Sequence, residues 1–246
     1  MIEYEGLFKD DVIIDVNDDM RMKWIDDCEL IITSCVESLI IDDDFNPDIS
    51  SLILNYSLIS LKQIEIGDDC FANVNRFEID GLNELETIVI GWRCFSLNNG
   101  PIEGSKCLIM NCDQLSEIHI GDWSFRWYES FELKNLSFLI SIQLDNYEFY
   151  YSHWIVFDNH IRLESITLGN CTLACDQYTT ESNELIMKNL PSLSMIDGSF
   201  RYIGKVTLEN IPSLIRWPME FGVVRELHSS NADSLDRLIR QRSKYL

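Results

Sequence analysis

Apolar residues recur along the chain in two short alternating phrases, Phe-x-Ile and Ile-x-Ile, joined by a Leu-x-x-Leu link. Two copies match residue for residue in spacing: Phe77-Glu78-Ile79, Leu82, Leu85, Ile88-Val89-Ile90-Gly91, and Phe131-Glu132-Leu133, Leu136, Leu139, Ile142-Gln143-Leu144. Others run from Cys107-Leu108-Ile109 to Ile118-His119-Ile120-Gly121 and from Ile155-Val156-Phe157 to Ile166-Thr167-Leu168-Gly169. Two weaker copies, Leu185 to Ile196 and Val206 to Trp217, close the array. Upstream, Leu58, Leu61 and Ile64-Glu65-Ile66-Gly67 share the pattern, and residues 30–45 form a degenerate first copy whose register the sequence leaves open. The anchor leucines fall at 61, 85, 115, 139, 163, 193 and 214, steps of 24, 30, 24, 24, 30 and 21, so a 24-residue unit carries two six-residue insertions.

Alternation with period two predicts short strands, and the Leu-x-x-Leu link suits neither a useful helix nor a continuous strand. One unit cannot bury its apolar positions alone, but stacked units build a continuous core with strands pairing in parallel from coil to coil. Phe71, Phe95, Phe125 and Phe149, each following an Ile-x-Ile strand, predict a coil with two strand faces. The expected architecture is a mostly β repeat solenoid of about seven 24-residue coils. Residues 1–29 are expected to cap it, with Val12, Ile14, Met20, Met22 and Trp24 as apolar positions; residues 30–222 form the array and 223–246 the second cap. That cap is expected to add a last strand over 223–227 and a short helix N-capped by Ser230-Asn231.

The phrase Leu-x-x-Ile-x-Ile-Gly-x-x-x-Phe resembles leucine-rich repeats, most closely the BspA-like class, over residues 30–217. The class's alanine before the phenylalanine is replaced by Cys70, Cys94, Ser124 and Glu148, and its Cys-x-x-Leu is mostly Leu-x-x-Leu. The resemblance implies a binding or adhesion module.

Charge narrows the partners. Nineteen Lys+Arg against 41 Asp+Glu give −22, which repels phosphate backbones and excludes a duplex nucleic-acid reader. No apolar run approaches the ~18 residues that span a bilayer, so membrane insertion is not expected. The amino terminus has neither the basic start nor the apolar run of a secretory signal, so a cytoplasmic or nuclear setting is expected. A fragment of a cell-surface adhesin or receptor is the alternative, and there Asn55, Asn135 and Asn170 head glycosylation sequons, Asn170 being expected to lie too deep.

No metal or other cofactor is expected. Cys107 and Cys112 stand at apolar repeat positions and read as small core residues, Cys70 and Cys94 are equivalent rungs in adjacent coils, and no Cys-x-x-Cys pair exists for zinc. Asp42-Asp43-Asp44 with Asp48 lacks the spacing of a calcium loop and reads as a solvated turn. His119 is expected to point outward from its strand, and His160 occupies a leucine position. With no nucleophile, metal or phosphate motif, the expectation is a non-enzymatic protein-binding module, the less favoured rival being a β-helix carbohydrate enzyme.

The candidate contact residues are aromatic. Trp92, Trp123, Tyr147 and the following Trp127, Tyr128, Tyr150, Tyr151 and Trp154 exceed what the phenylalanine core needs, and they stand in turns where other copies carry Asp68, Asp69 and Asn170. Large rings with polar handles are the commonest hot spots of protein interfaces. The insertions at 98–103 and 176–181 are expected to flank them as walls, and the favoured partner is a protein with a basic surface. A second expected surface is the outward row Glu78, Leu108, Glu132, Val156, Ile186 and Thr207, with three exposed apolar residues.

Overall fold

The computed structural model describes residues 37–98, 100–175, 182–198, 200–214 and 224–233, with 236, 237 and 240, and the backbone of 23–25 and 29–31. The strands are β1 (Lys23–Ile25), β2 (Glu29–Ile31), β3 (Ser38–Ile41), β4 (Ser51–Asn55), β5 (Gln63–Ile66), β6 (Arg76–Asp80), β7 (Thr87–Ile90), β8 (Lys106–Met110) and β9 (Glu117–Ile120). They continue as β10 (Ser130–Lys134), β11 (Ser141–Leu144), β12 (Trp154–Asp158), β13 (Ser165–Leu168), β14 (Glu184–Lys188), β15 (Met195–Asp197), β16 (Lys205–Glu209) and β17 (Glu226–Ser230). From β3 to β16 successive strands alternate between two parallel sheets, and β17 adds to the sheet of β16. One has seven strands, β3 to β15, and the other eight, β4 to β17. The chain is a mostly β parallel solenoid of about seven turns.

Registers follow the repeat alignment. Phe131 lies beside Cys107 on one side and Ile155 on the other, and Ile142 between Ile118 and Ile166. The inward residues of each strand are buried and enclose one core between the sheets. All seven anchor leucines are buried within it, with Phe71, Phe95, Phe125 and Phe149 beside them. These four rings form a face-to-face column, with centroids 5.0, 4.6 and 4.9 Å apart. Cys107 and Cys112 sit in this core as expected, and burial pushes the Cys112 thiol up to about 12. The open first register is now defined: Leu39 pairs with Ile64, and Phe45 packs edge-on against Phe71.

The corners rely on left-handed backbone at non-glycine residues. Arg93, Trp123 and Tyr147 have φ of 55°, 64° and 67°, and Phe95, Phe125 and Phe149 follow at 53°, 52° and 49°. Such conformations cost about 1 kcal/mol each, and the neighbouring coils offset the cost. The amides of Arg93 and Trp123 donate to the carbonyls of Asp122 and Asn146 at 2.9 and 2.8 Å, and Phe125 N–H donates to Cys94 C=O at 2.9 Å.

A second corner carries a polar column that apolar periodicity does not reveal. Asn111, Asn135, Asn159, Asn189, Asn210 and Asn231, each just past or at the end of a strand of the eight-stranded sheet, have φ between 49° and 65°. Their side chains form a ladder from coil to coil. Asn135 Nδ2 donates to Asn111 Oδ1 at 2.9 Å, Asn159 Nδ2 to Asn135 Oδ1 at 3.0 Å, and Asn231 Nδ2 to Asn210 Oδ1 at 2.8 Å. Asparagine tolerates left-handed backbone and carries donor and acceptor on one amide, so a single residue type meets both demands. Asn135→Ala is expected to cost about 2 kcal/mol, from two ladder bonds and a strained φ. Asn135→Gly recovers the backbone part, since glycine occupies this place at Gly81, φ 74°. Urea midpoints check this: equal losses in the two variants contradict it. A glycan on Asn135 would remove a ladder donor, whereas Asn170, expected to be shielded, is exposed.

A third column runs through the residues before the phenylalanines. Cys94 Sγ donates to Gly67 C=O at 2.9 Å and Ser124 Oγ to Gly91 C=O at 2.8 Å, while Thr172 Oγ1 contacts the Asp145 carbonyl. Between Ser124 and Thr172 stands Glu148, fully buried.

The ends differ from expectation in detail. β1 and β2 form an antiparallel hairpin across the expected boundary at residue 30, and Val12, Ile14, Met20 and Met22 lie outside the described residues. The last strand starts three residues later than expected, because Glu226 and Leu227 pair with Lys205 and Val206. Ser230 belongs to this strand. Of the expected helix, the described residues show the Asp236 amide donating to Ala232 C=O at 2.9 Å and an Arg240–Asp236 ion pair at 3.0 Å. The insertion at 176–181 and residue 99 of the first insertion lie outside the described residues.

Candidate functional site

Equivalent positions of adjacent coils lie about one strand spacing, ~4.8 Å, apart, so their side chains stack along the solenoid axis, both at the left-handed corner of Trp123 and Tyr147 and in the turn beyond it. Trp123 lies on Tyr147 with centroids 4.2 Å apart and planes 12° apart. Trp127 lies on Tyr151 at 4.0 Å and 14°. Tyr150 meets Tyr151 edge-on at 4.8 Å. The Arg126 guanidinium sits 4.9 Å from the Trp123 ring and 4.8 Å from that of Trp127, bridging the two stacks. One coil earlier, Arg93 lies 4.8 Å over Trp92 and pairs with Asp69 at 3.1 Å. An open cleft of about 380 Å³ separates the Trp92–Arg93 corner from Trp123, Arg126 and Trp127.

Six of the eight candidate residues therefore share one ridge: Trp92, Trp123, Trp127, Tyr147, Tyr150 and Tyr151. The other two stand apart. Tyr128 is a correction: its ring is buried edge-on against Phe125 and its hydroxyl donates to Val74 C=O, so it is a core residue. Trp154 opens β12 and faces outward from the eight-stranded sheet, lining a separate cleft of about 540 Å³. Arg126 was not among the candidates. Its signal was a cation one residue before Trp127 and three after Trp123, within reach of both rings.

The outward row of the eight-stranded sheet also departs from expectation. Leu108 and Ile186 are half-buried and Val156 is buried, because each is flanked at ~4.8 Å by side chains of both neighbouring strands. The acids here are paired. Glu78 contacts Arg76 at 2.8 Å and Lys106 as well, Glu184 meets Lys205 at 3.1 Å, and Glu132 meets Lys134 at 2.5 Å. Burial alone would raise the Glu78 carboxyl, yet its two cations hold it below the usual range.

Elsewhere polar residues serve the scaffold. His119 does face outward, contacting Asp145 at 3.1 Å. His160 is fully buried, its Nδ1 accepting from Leu136 N–H at 3.3 Å, and burial lowers it to about 4. The Asp43 carboxylate accepts the Asp68 amide at 2.7 Å, and Asp68 in turn accepts that of Trp92. Cys70 and Cys94 are buried free thiols. Among the described residues no group of three or more His, Cys, Asp or Glu is arranged to hold a metal ion.

No protein-family model, curated protein or solved structure matches the chain.

Proposed function

We propose that the chain is a non-enzymatic protein-binding solenoid that takes a partner on the aromatic ridge. In this reading it is a leucine-rich-repeat protein of BspA-like type, with 24-residue coils and a helical second cap. The observation that supports it is the stacking of half-exposed rings before any partner arrives. Trp123, Tyr147, Trp127 and Tyr151 are held by one another and by Arg126, so little side-chain freedom is lost on contact. Rings fixed on a rigid scaffold contribute large contact area at small ordering cost. The −22 charge draws a basic partner toward the surface, where rings rather than charges then supply the hold.

The test is a paired substitution, Trp127→Ala with Tyr151→Ala, assayed against a captured partner protein. Binding should weaken by about 2–4 kcal/mol while the far-ultraviolet spectrum stays that of the parent. Unchanged affinity, or an unfolded variant, makes the rings structural and removes the ridge from the reading.

A further inference from the structure

Among the tryptophans whose side chains are described, Trp154 is the one with no ring or guanidinium stacked on it. Trp92, Trp123 and Trp127 each carry a guanidinium over the ring, and two of them a second ring, whereas no ring or cation stacks on Trp154 among the described residues, and 39% of it is exposed. The sheet explains the vacancy. At the first outward position of successive strands the row reads Arg76, Lys106, Ser130, Trp154, Glu184 and Lys205. Ser51 precedes Arg76 on the edge strand and Glu226 follows Lys205, so Ser130 is the one short side chain with long neighbours on both sides. Over Ser130 one rung of the ladder is missing, and Lys106 and Trp154, two strands apart, stand about 9.5 Å from each other. A flat group lying there is one strand spacing from either wall, which is stacking distance from the indole.

The chemistry of the slot is acidic and polar. Glu129 and Glu132 border it, as do His153 and the backbone at Gly104 and Ser105. Glu132 lies on the same strand and face as Ser130, two residues on; its Oε2 holds the Lys134 ammonium at 2.5 Å, so Oε1 is the oxygen a further donor would meet. Glu129 takes the Gly104 amide on Oε2 at 2.6 Å. The ammonium of Lys106, the one cation among the lining residues, is engaged by Glu78 on the strand away from the slot.

We propose that this slot receives an arginine side chain of a partner protein, its guanidinium stacked on Trp154 and its N–H groups donated to Glu129 and Glu132. This rests on the protein-binding reading. The guanidinium is planar and fits the thickness of one missing rung, is weakly hydrated, prefers indole among aromatic faces, and presents donors in a fork that carboxylates match. A lysine ammonium is a point charge that leaves the slot unfilled, and a sugar gains nothing from the acidic field of the chain.

The probe is the blocked tripeptide acetyl-Gly-Arg-Gly-amide added to the full chain, read on the indole N–H resonance of Trp154, assigned with Trp154→Phe. The resonance should shift saturably, with the citrulline and lysine tripeptides at least about tenfold weaker, because each lacks either the charge or the plane. Ser130→Leu, which fills the slot, should abolish the shift, and Glu132→Gln should weaken binding about tenfold, as the loss of one charged partner does. Raising salt from about 50 to about 300 mM should weaken it as well. Equal binding of the citrulline peptide, undiminished binding to Ser130→Leu, or a Trp154 shift with maltohexaose but not with the arginine peptide overturns the proposal. Trp127→Ala/Tyr151→Ala leaves the slot residues in place. Absence of peptide binding in the parent therefore marks failure of the slot alone, and undiminished partner capture by the double variant marks failure of the ridge.

Discussion

Phe125→Ala is expected to lower unfolding free energy by about 4 kcal/mol, the largest loss from a single truncation in this molecule. The ring stands in the middle of the phenylalanine column, 4.6 Å from Phe95, 4.9 Å from Phe149 and edge-on to Tyr128 at 5.0 Å. All of these rings are fully buried. Hydrogen-bonded strands on either side hold the coils at a fixed spacing, so the cavity cannot close. Two controls calibrate the effect. Phe125→Leu should cost only about 1–1.5 kcal/mol, since Leu173 fills the equivalent place and is fully buried. Phe45→Ala, at the head of the column, should cost less than Phe125→Ala because Phe45 is half-buried whereas Phe125 is fully buried. Urea midpoints in which Phe45→Ala and Phe125→Ala fall equally would contradict a cavity cost set by depth in the column.

Glu148→Gln is expected to change the pH dependence of stability more than any other single substitution. Burial pushes the Glu148 carboxyl up to about 8, and contact with Thr172 only partly offsets this. The geometry agrees with a neutral acid. Thr172 Oγ1 contacts both the Asp145 carbonyl and Glu148 Oε2, the latter at 2.6 Å. A hydroxyl has one proton and the carbonyl only accepts, so a proton on Glu148 satisfies both contacts. In the unfolded chain the carboxyl titrates near its ordinary value of about 4.3. Its folded value is raised, so the stability that the neutral form provides is complete below about pH 4 and is lost as pH rises through about 8. Between those limits the slope approaches about 1.4 kcal/mol per pH unit, several kcal/mol in all. Denaturation at pH 5.5, 7 and 8.5 should show the parent weakening across the series while Glu148→Gln stays nearly level. Parallel decline of the two proteins would place the proton elsewhere.

Strand positions were legible because a solenoid converts sequence periodicity directly into structure. Once Phe77 and Phe131 are aligned, their neighbours across the sheet follow. The first coil was illegible in register because Leu39, Ile40 and Ile41 form an unbroken apolar run, and only pairing with Ile64 and Ile66 decides which residues face inward. The asparagine ladder was readable but lies in a position that apolar pattern matching skips: the residue at the left-handed corner matters by its backbone and amide, not by hydrophobicity. The candidate surface was partly readable. Side chains in a turn have no fixed period, so Trp127, half-buried on the ridge, and Tyr128, wholly buried beside it, cannot be told apart by spacing. Trp154 closes the same aromatic stretch yet begins a strand, and one residue of pleat carries it to another face. The slot beside it depends on a short serine among long neighbours, a feature visible only when strands are lined up across the sheet.

The asparagine ladder also gives the molecule an electrical direction. Each amide donates toward the earlier coil, and within the runs Asn111–Asn159 and Asn189–Asn231 the side-chain dipoles add head to tail and polarise one another. The donor end is at Asn111, and there the partner is a carboxylate, with Asn111 Nδ2 donating to Asp80 Oδ1 at 2.8 Å, as an acidic residue meets the positive end of a helix. A second acid, Asp158, accepts from Asn189 at 3.4 Å where a six-residue insertion interrupts the spacing. The two ends of the row are thus unlike: one is closed by negative charge, and the other ends on the amide of Asn231, whose oxygen takes no further asparagine donor among the described residues.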